Sequence, residues 1–143
     1  MAVTAEQLIK ARIPGTGRLI QGGVEEGEVL YGGTMAFWDA DGYLTPTATN
    51  NRFAGIVKKT VDNSAGTDGA IQAELYTEGD FVLPLSSVAT ADITPGLAYA
   101  SDNYTLTTTA STNAFVGSII RAHGTNLVEV RIDIQVRPDL TGT

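Results

Sequence analysis

Cysteine is missing from these 143 residues, and histidine occurs once, at His123. The first absence removes disulfides and thiolate chemistry; with histidine so scarce, a metal site would have to be built almost wholly from carboxylates. Such a chain suits folding in a reducing cytoplasm. Aromatics are sparse, at 7%, with a single tryptophan. No run approaches the roughly 20 apolar residues that a membrane span needs, and residues 1–8 lack the apolar centre of a secretory signal. The expectation is a soluble protein with no membrane partner. Positive charge is scarce too, 9 Lys and Arg against 16 Asp and Glu, for a net −7. Residues 1–20 hold Lys10, Arg12 and Arg18 against Glu6, so a segment of +2 precedes a remainder of −9. An acidic body repels phosphate backbones, which argues against nucleic acid as a partner. A basic segment on such a body is suited to a different surface from the one the body presents.

What the chain does contain is a second copy of part of itself. Sliding the sequence by 62 positions, the separation of Gly55 and Gly117, lays residues 34–59 on 96–121 without a gap. Ala36, Leu44, Thr45, Thr47, Ala48, Asn51, Phe53 and Gly55 meet Ala98, Leu106, Thr107, Thr109, Ala110, Asn113, Phe115 and Gly117. Phe37 meets Tyr99, Met35 meets Leu97 and Val57 meets Ile119. A short β unit cannot bury its apolar face alone, so a unit used twice implies one body made of two similar halves. Each copy alternates apolar and polar residues, turns, passes a Thr-rich segment, and runs into a strand through Phe-x-Gly. The expected fold is mainly β: a compact antiparallel barrel or sandwich, with halves over 22–80 and 81–137, an arm over 1–21 and a tail over 138–143.

Taken in order, Thr4-Ala5-Glu6-Gln7 offers the cap of a short helix that Pro14, Gly15 and Gly17 would end. Residues 1–20 read as an arm ordered by what it touches. Leu8, Ile9, Ile13, Leu19 and Ile20 argue for docking rather than for a solvated terminus, and Lys10, Arg12 and Arg18 supply its charge. Alternation predicts strands at 29–31, 34–38, 53–61, 70–76, 81–85, 115–122 and 127–136, with 29–31 turning at Gly32-Gly33 to pair with 34–38. Gly55 and Gly117, each inside a strand, mark a bulge or a close backbone approach. Phe81-Val82-Leu83-Pro84 reads as an edge strand, because proline cannot donate to a ladder, and as a candidate interface with another chain.

The search for chemistry returns little. Asp39-Ala40-Asp41-Gly42 superficially resembles a calcium loop, but Phe37 occupies a ligand position and no bidentate Glu follows at the required distance. Turn chemistry explains it, with Asp39 capping its own backbone and Gly42 taking positive φ. His123 beside Gly124 has no nucleophile elbow to serve. Gly15-Thr16-Gly17-Arg18 lacks the lysine and spacing of a phosphate loop. Glu25, Glu26 and Glu28 read as a solvated face. The expectation is no enzyme, no cofactor, no metal and no small-molecule substrate.

The order strand, Asp-Gly turn, Thr45-Pro46, Phe53-Ala54-Gly55-Ile56, Val61-Asp62-Asn63-Ser64-Ala65-Gly66, Gly79-Asp80-Phe81-Val82-Leu83-Pro84, Tyr99-Ala100-Ser101-Asp102 and Phe115-Val116-Gly117 resembles the capsid decoration, or cement, proteins of tailed bacteriophages. The resemblance covers about residues 22–133. It implies a body like the β-tulip domain, a homotrimer seated on the outside of an expanded capsid, and the major capsid protein as partner. It implies a virion protein made in the bacterial host cytoplasm, and an N-terminal arm that reaches across capsid subunits. Two other readings stand beside it: a tail-tube or baseplate module, and a carbohydrate-binding domain using Trp38, Tyr43, Tyr99 and Tyr104.

Overall fold

The computed structural model describes residues 3–7, 19–85, 96–122, 124 and 126–133, and over these the chain is built from strands without a helix. They are β1 (Leu19–Gly23), β2 (Val29–Leu30), β3 (Met35–Trp38), β4 (Leu44–Thr45), β5 (Arg52–Val57), β6 (Val61–Asp62), β7 (Gln72–Tyr76), β8 (Glu78–Pro84), β9 (Gly96–Ala100), β10 (Leu106–Thr107), β11 (Ala114–Ala122) and β12 (Leu127–Asp133). Ten of them form two five-stranded antiparallel sheets. The first runs β1-β7-β5-β3-β4; the second, read from its corresponding edge, runs β8-β12-β11-β9-β10. Strand for strand this is one topology used twice. Even the closure repeats: Val24, just after β1, bridges to Leu44 on the opposite edge strand, and Leu85, just after β8, bridges in the same parallel sense to Leu106.

The repeated residues have repeated duties. Asn51 Nδ2 donates to the Thr47 carbonyl at 2.9 Å, and Asn113 Nδ2 to that of Thr109 at 3.0 Å. The hydroxyl oxygens of Thr45 and Thr107 accept from the N–H groups of Thr47 and Thr109. The Thr-rich segment is therefore a loop pinned by its own side chains, which is why its threonines and asparagine occur in both copies. Ahead of it Asp39 Oδ1 accepts from the N–H groups of Asp41 and Tyr43, at 2.8 and 2.9 Å, and Gly42 has φ +88°. Asp102 performs the same service for Tyr104 and Thr105.

Both Phe-x-Gly strands bulge at the same point. Register slips between Ala36↔Gly55 and Phe37↔Phe53, and between Gly117↔Ala98 and Phe115↔Tyr99, leaving Ala54 and Val116 as the extra residues. A Cβ on Gly55 would lie 2.5 Å from the Tyr76 carbonyl oxygen, and one on Gly117 would overlap that of Arg131. Tyr76 and Arg131 occupy the same place in their sheets, so the two glycines admit the same neighbouring carbonyl.

Three expectations are corrected here. Residues 29–31 do not pair with 34–38; β2 pairs with β6 in a separate two-stranded ribbon. The arm does not extend to 21, because Leu19–Gly23 is the edge strand β1, in register with β7 from Leu19↔Tyr76 to Gly23↔Gln72. The second half begins with β8 at Glu78 rather than at 81. The paired glycines hid β1 from a reading by propensity. Gly22 is required by packing, since Trp38 and Leu44 lie 2.7 and 2.9 Å from where its Cβ would stand. Residues 4–7 are not helical, and the rest of the proposed helix lies outside the described residues, as do the linker 86–94 and everything past 133.

Burial separates the halves. Val24, Leu30, Ala36, Leu44, Ala54, Val57, Ala73 and Leu75 fill the inside of the first sheet, with Val61 and Trp38 packed against them. Leu30 and Val61 come from the β2–β6 ribbon, which therefore caps this interior. The matching residues of the second sheet, among them Leu85, Ala98, Leu106, Val116, Val128 and Val130, belong to a larger core. That core also takes in Met35, Phe37, Phe53 and Ile56, from the outer face of the first sheet. The second half is packed on the back of the first.

Candidate interaction surfaces

Among the described residues no group of three or more His, Asp and Glu is placed to hold a metal. His123 lies outside them. Glu25 and Glu28 are half-buried and Glu26 is exposed. Burial, then the neighbouring Glu25 charge, pushes the Glu28 carboxyl above its ordinary value. The Glu26 N–H donates to Asp68 Oδ1 at 2.8 Å, which ties this acidic turn to the 62–69 loop. These are structural duties.

Of the proposed arm residues, Leu8, Ile9, Lys10, Arg12, Ile13 and Arg18 lie outside the described residues. Leu19 and Ile20 are in β1 and remain exposed, at 43% and 36%. Within the arm, residues 3–7 form a strap that touches both halves. The Val3 N–H donates to Asn103 Oδ1 at 3.0 Å, and Asn103 Nδ2 returns a bond to the Val3 carbonyl at 3.2 Å. The Gln7 N–H donates to the Gly32 carbonyl in the first half. A cleft of about 480 Å3 lies under the strap, with Glu28 and Tyr31 on one wall and Asp102 on another. Asn103 itself is buried, and its carbonyl accepts from the Met35 N–H at 2.7 Å. Asn103 stands where the first copy has Asp41, another polar turn residue, so the sequence carries no signal of its contact with the strap.

The edge expected at Phe81-Val82-Leu83-Pro84 exists as backbone: β8 is the outermost strand of its sheet, paired on one side with β12. Three of its four side chains are buried within the chain, and Pro84 is half-buried. Phe81 and Leu83 point into the shared core opposite Val130 and Val128, and Val82 is also buried. The sugar-stacking quartet is dispersed. Trp38 packs on the first core, Tyr43 lies by Gly69, Tyr104 packs on the shared core, and Tyr99 meets Phe115 edge to face.

The outer face of the second sheet is the surface with the most unusual chemistry. A row runs across four strands through Leu97, Ser118, Arg131 and Asp80. Arg131 grips Asp80 with two bonds, Nε to Oδ1 at 2.7 Å and Nη2 to Oδ2 at 2.9 Å, and Arg121 Nε bonds Glu129 Oε1 at 3.0 Å. Bonding to Asp80, then its charge, raises the Arg131 pKa further. Both carboxylates are buried, while the guanidiniums above them are 60% and 57% exposed. Beside them are Leu97, 41% exposed, and the half-buried pair Tyr99 and Phe115. No protein-family model matches this chain, and no curated protein matches it.

Proposed function

We propose that this chain is a structural virion protein, a decoration protein that binds the outer surface of an expanded phage head and stabilises it. The observation that carries the reading is the resemblance of the chain's ordered run of turn and strand motifs to that family. Three features of the molecule support it. The body is two copies of one five-stranded sheet packed into one unit, a form suited to binding. A segment of opposite charge precedes it. The strap at residues 3–7 holds the start of that segment against the seam between the halves.

A cement protein stabilises a shell by binding the mature lattice better than the unexpanded one, and the gain follows from that difference in affinity. In this reading Leu8, Ile9, Ile13, Leu19 and Ile20 bury apolar area on the major capsid protein at roughly 25 cal/mol per Å2 before ordering costs, and Lys10, Arg12 and Arg18 steer the approach. The decorating unit is a homotrimer. Co-sedimentation with empty expanded and unexpanded heads across a salt series tests this. Saturable binding to expanded heads alone, lost on deleting residues 1–18, is the expected result; no binding to either form would sink the proposal and direct attention to tail assembly.

A further inference from the structure

We propose that the seam between the halves is a binding site for an extended polypeptide read through its main chain, and that residues 3–7 of a second copy of this chain fill it as residues 3–7 of the same copy do here. The inference stands apart from the decoration reading.

The first support is the way the strap is held. Every hydrogen bond between residues 3–7 and the described body uses strap backbone. Asn103 gives Val3 both bonds that a neighbouring β-strand gives one residue: Oδ1 accepts its N–H at 3.0 Å, and Nδ2 donates to its carbonyl at 3.2 Å. Further along, the Gln7 N–H reaches the Gly32 carbonyl. The Gln7 side chain turns back to the Ala5 carbonyl, inside the strap. Main-chain recognition of this kind is how a sheet edge takes an extended peptide.

The second support is a floor cut to admit a backbone. A Cβ on Gly33 would overlap the Gln7 carbonyl, and one on Gly32 would lie 2.9 Å from Glu6 Oε2. Gly33 also holds φ +85°. The repeat shows that these features belong to the seam rather than to the sheet. At the repeat spacing the second copy has Pro95 in place of Gly33, and the first copy has Asp41 in place of Asn103. A carboxylate cannot make the bond that Asn103 Nδ2 donates. The two halves thus differ at both ends of the strap, where each supplies one contact.

The occupant is identified by the segment already seated, whose fit a second copy shares residue for residue. The Gly33 N–H donates to the Val57 carbonyl at 2.8 Å, Val57 pairs with Leu75, and Leu75 with Ile20. The far end of the strap is therefore two strand spacings from β1, about 10 Å. Eleven residues, 8–18, join Gln7 to Leu19, enough for roughly 36 Å of extended chain. The tether is longer than the home seam demands and reaches past it to that of a neighbour. In an isolated copy it keeps the strap home, because a tethered segment has an effective concentration in the millimolar range. Copies held side by side present their straps to one another at comparable concentration, and exchange then links them without any new contact.

The test mixes two complementary full-length variants, one with a free strap and one with a free seam. The donor carries Asn103→Ala, which takes away both bonds to Val3, and Thr4→Cys, an exposed position whose thiol is the only one in the chain and takes a nitroxide label. The isotope-labelled acceptor carries Val3→Pro and Gln7→Pro, which remove the two donating N–H groups of its own strap. Mixed at about 1 mM, where millimolar binding registers, the donor is expected to broaden the amide signals of Gly32, Ser101 and Asn103 in the acceptor. An acceptor that also carries Asn103→Ala loses the effect at Gly32 and Ser101. Wild type as acceptor shows it about tenfold less, since its own tethered strap fills the seam. If Asn103→Ala lowers the melting temperature of the donor, Asn103→Asp, the residue of the first copy's turn, takes its place. No broadening, broadening confined to other amides, or broadening that is equal in wild type or in the acceptor bearing Asn103→Ala overturns the proposal. Failure of wild type to bind heads would count against the decoration function alone and leave this site standing.

Discussion

Arg131 and Asp80 are joined by two charged hydrogen bonds, yet they stand in different media: the carboxylate side chain is 4% exposed and the guanidinium 60%. Removing either partner therefore has unequal results. Arg131→Met leaves a buried carboxylate without its cation, whereas Asp80→Asn leaves a guanidinium that water can solvate. Arg131→Met is expected to cost about 2–3 kcal/mol at pH 7, and Asp80→Asn less. Urea unfolding of both variants at pH 7 checks the two statements; equal penalties for the two substitutions would contradict them.

Gly55 and Gly117 predict a matched pair of effects. A side chain at either meets a backbone carbonyl that cannot rotate away, and at Gly55 φ of +153° adds strain. Gly55→Val and Gly117→Val should each destabilise by about 2–4 kcal/mol. Even alanine should be costly, since the Cβ alone makes the contact. Wild-type denaturation midpoints would show that the sheets part more easily here than their geometry allows.

Asn51 and Asn113 hold equivalent loops with equivalent bonds, so Asn51→Ala and Asn113→Ala should cost similar amounts, about 1 kcal/mol each. The pair is a test of equivalence rather than of size. A difference larger than the loss from the weaker variant would mean that the two loops are stabilised in different ways.

Glu28 has its carboxyl raised by burial and by Glu25. The folded state then holds that proton more tightly than the unfolded chain, so stability falls as pH rises from the unfolded toward the folded pKa and stays lower above it. Glu28→Gln should therefore be more stable than wild type at pH 7, with the gain disappearing below the ordinary Glu range. Melting curves from pH 3.5 to 7, about the span over which such a group titrates, decide it; a gain that persists in acid would point to packing instead.

How much of this was legible beforehand depended on which signal a residue carried. The repeat revealed itself through side chains that bond their own loops, Thr45, Thr47 and Asn51 with their mates, and through glycines that no other residue can replace. The mainly-β fold in two halves followed from these. The pairing of β1 with β8 as equivalents was not legible, because Ile20 and Gly22 correspond to Phe81 and Leu83: Ile20 is exposed where Phe81 is buried, and Gly22 makes room for Trp38 and Leu44 where Leu83 fills the core. Partnering of β2 was misjudged because a Gly-Gly turn advertises a hairpin locally, while Val61 is more than thirty residues away. Nor could sequence say that Met35 and Leu97, both apolar and both facing outward, would end at 0% and 41% exposure. That difference is made by what lies above each of them, which only tertiary packing decides.

The β2–β6 ribbon has a consequence for the order of events during synthesis. It draws on Lys58 to Ile71, the long connection between β5 and β7, whereas β11 and β12 are joined by only four residues and leave no length for such a ribbon. The amino-terminal unit emerges from the ribosome carrying its own lid, and with β7 translated through Leu75 it can close a core before the rest exists. The carboxy-terminal unit has its interior completed by Met35, Phe37, Phe53 and Ile56, so it must wait for a finished surface to fold upon. Folding should be templated and one-directional. Pulse-labelling hydrogen exchange is expected to protect Val57 and Leu75 before Val116 and Val130, and simultaneous protection would mean that the two units form together.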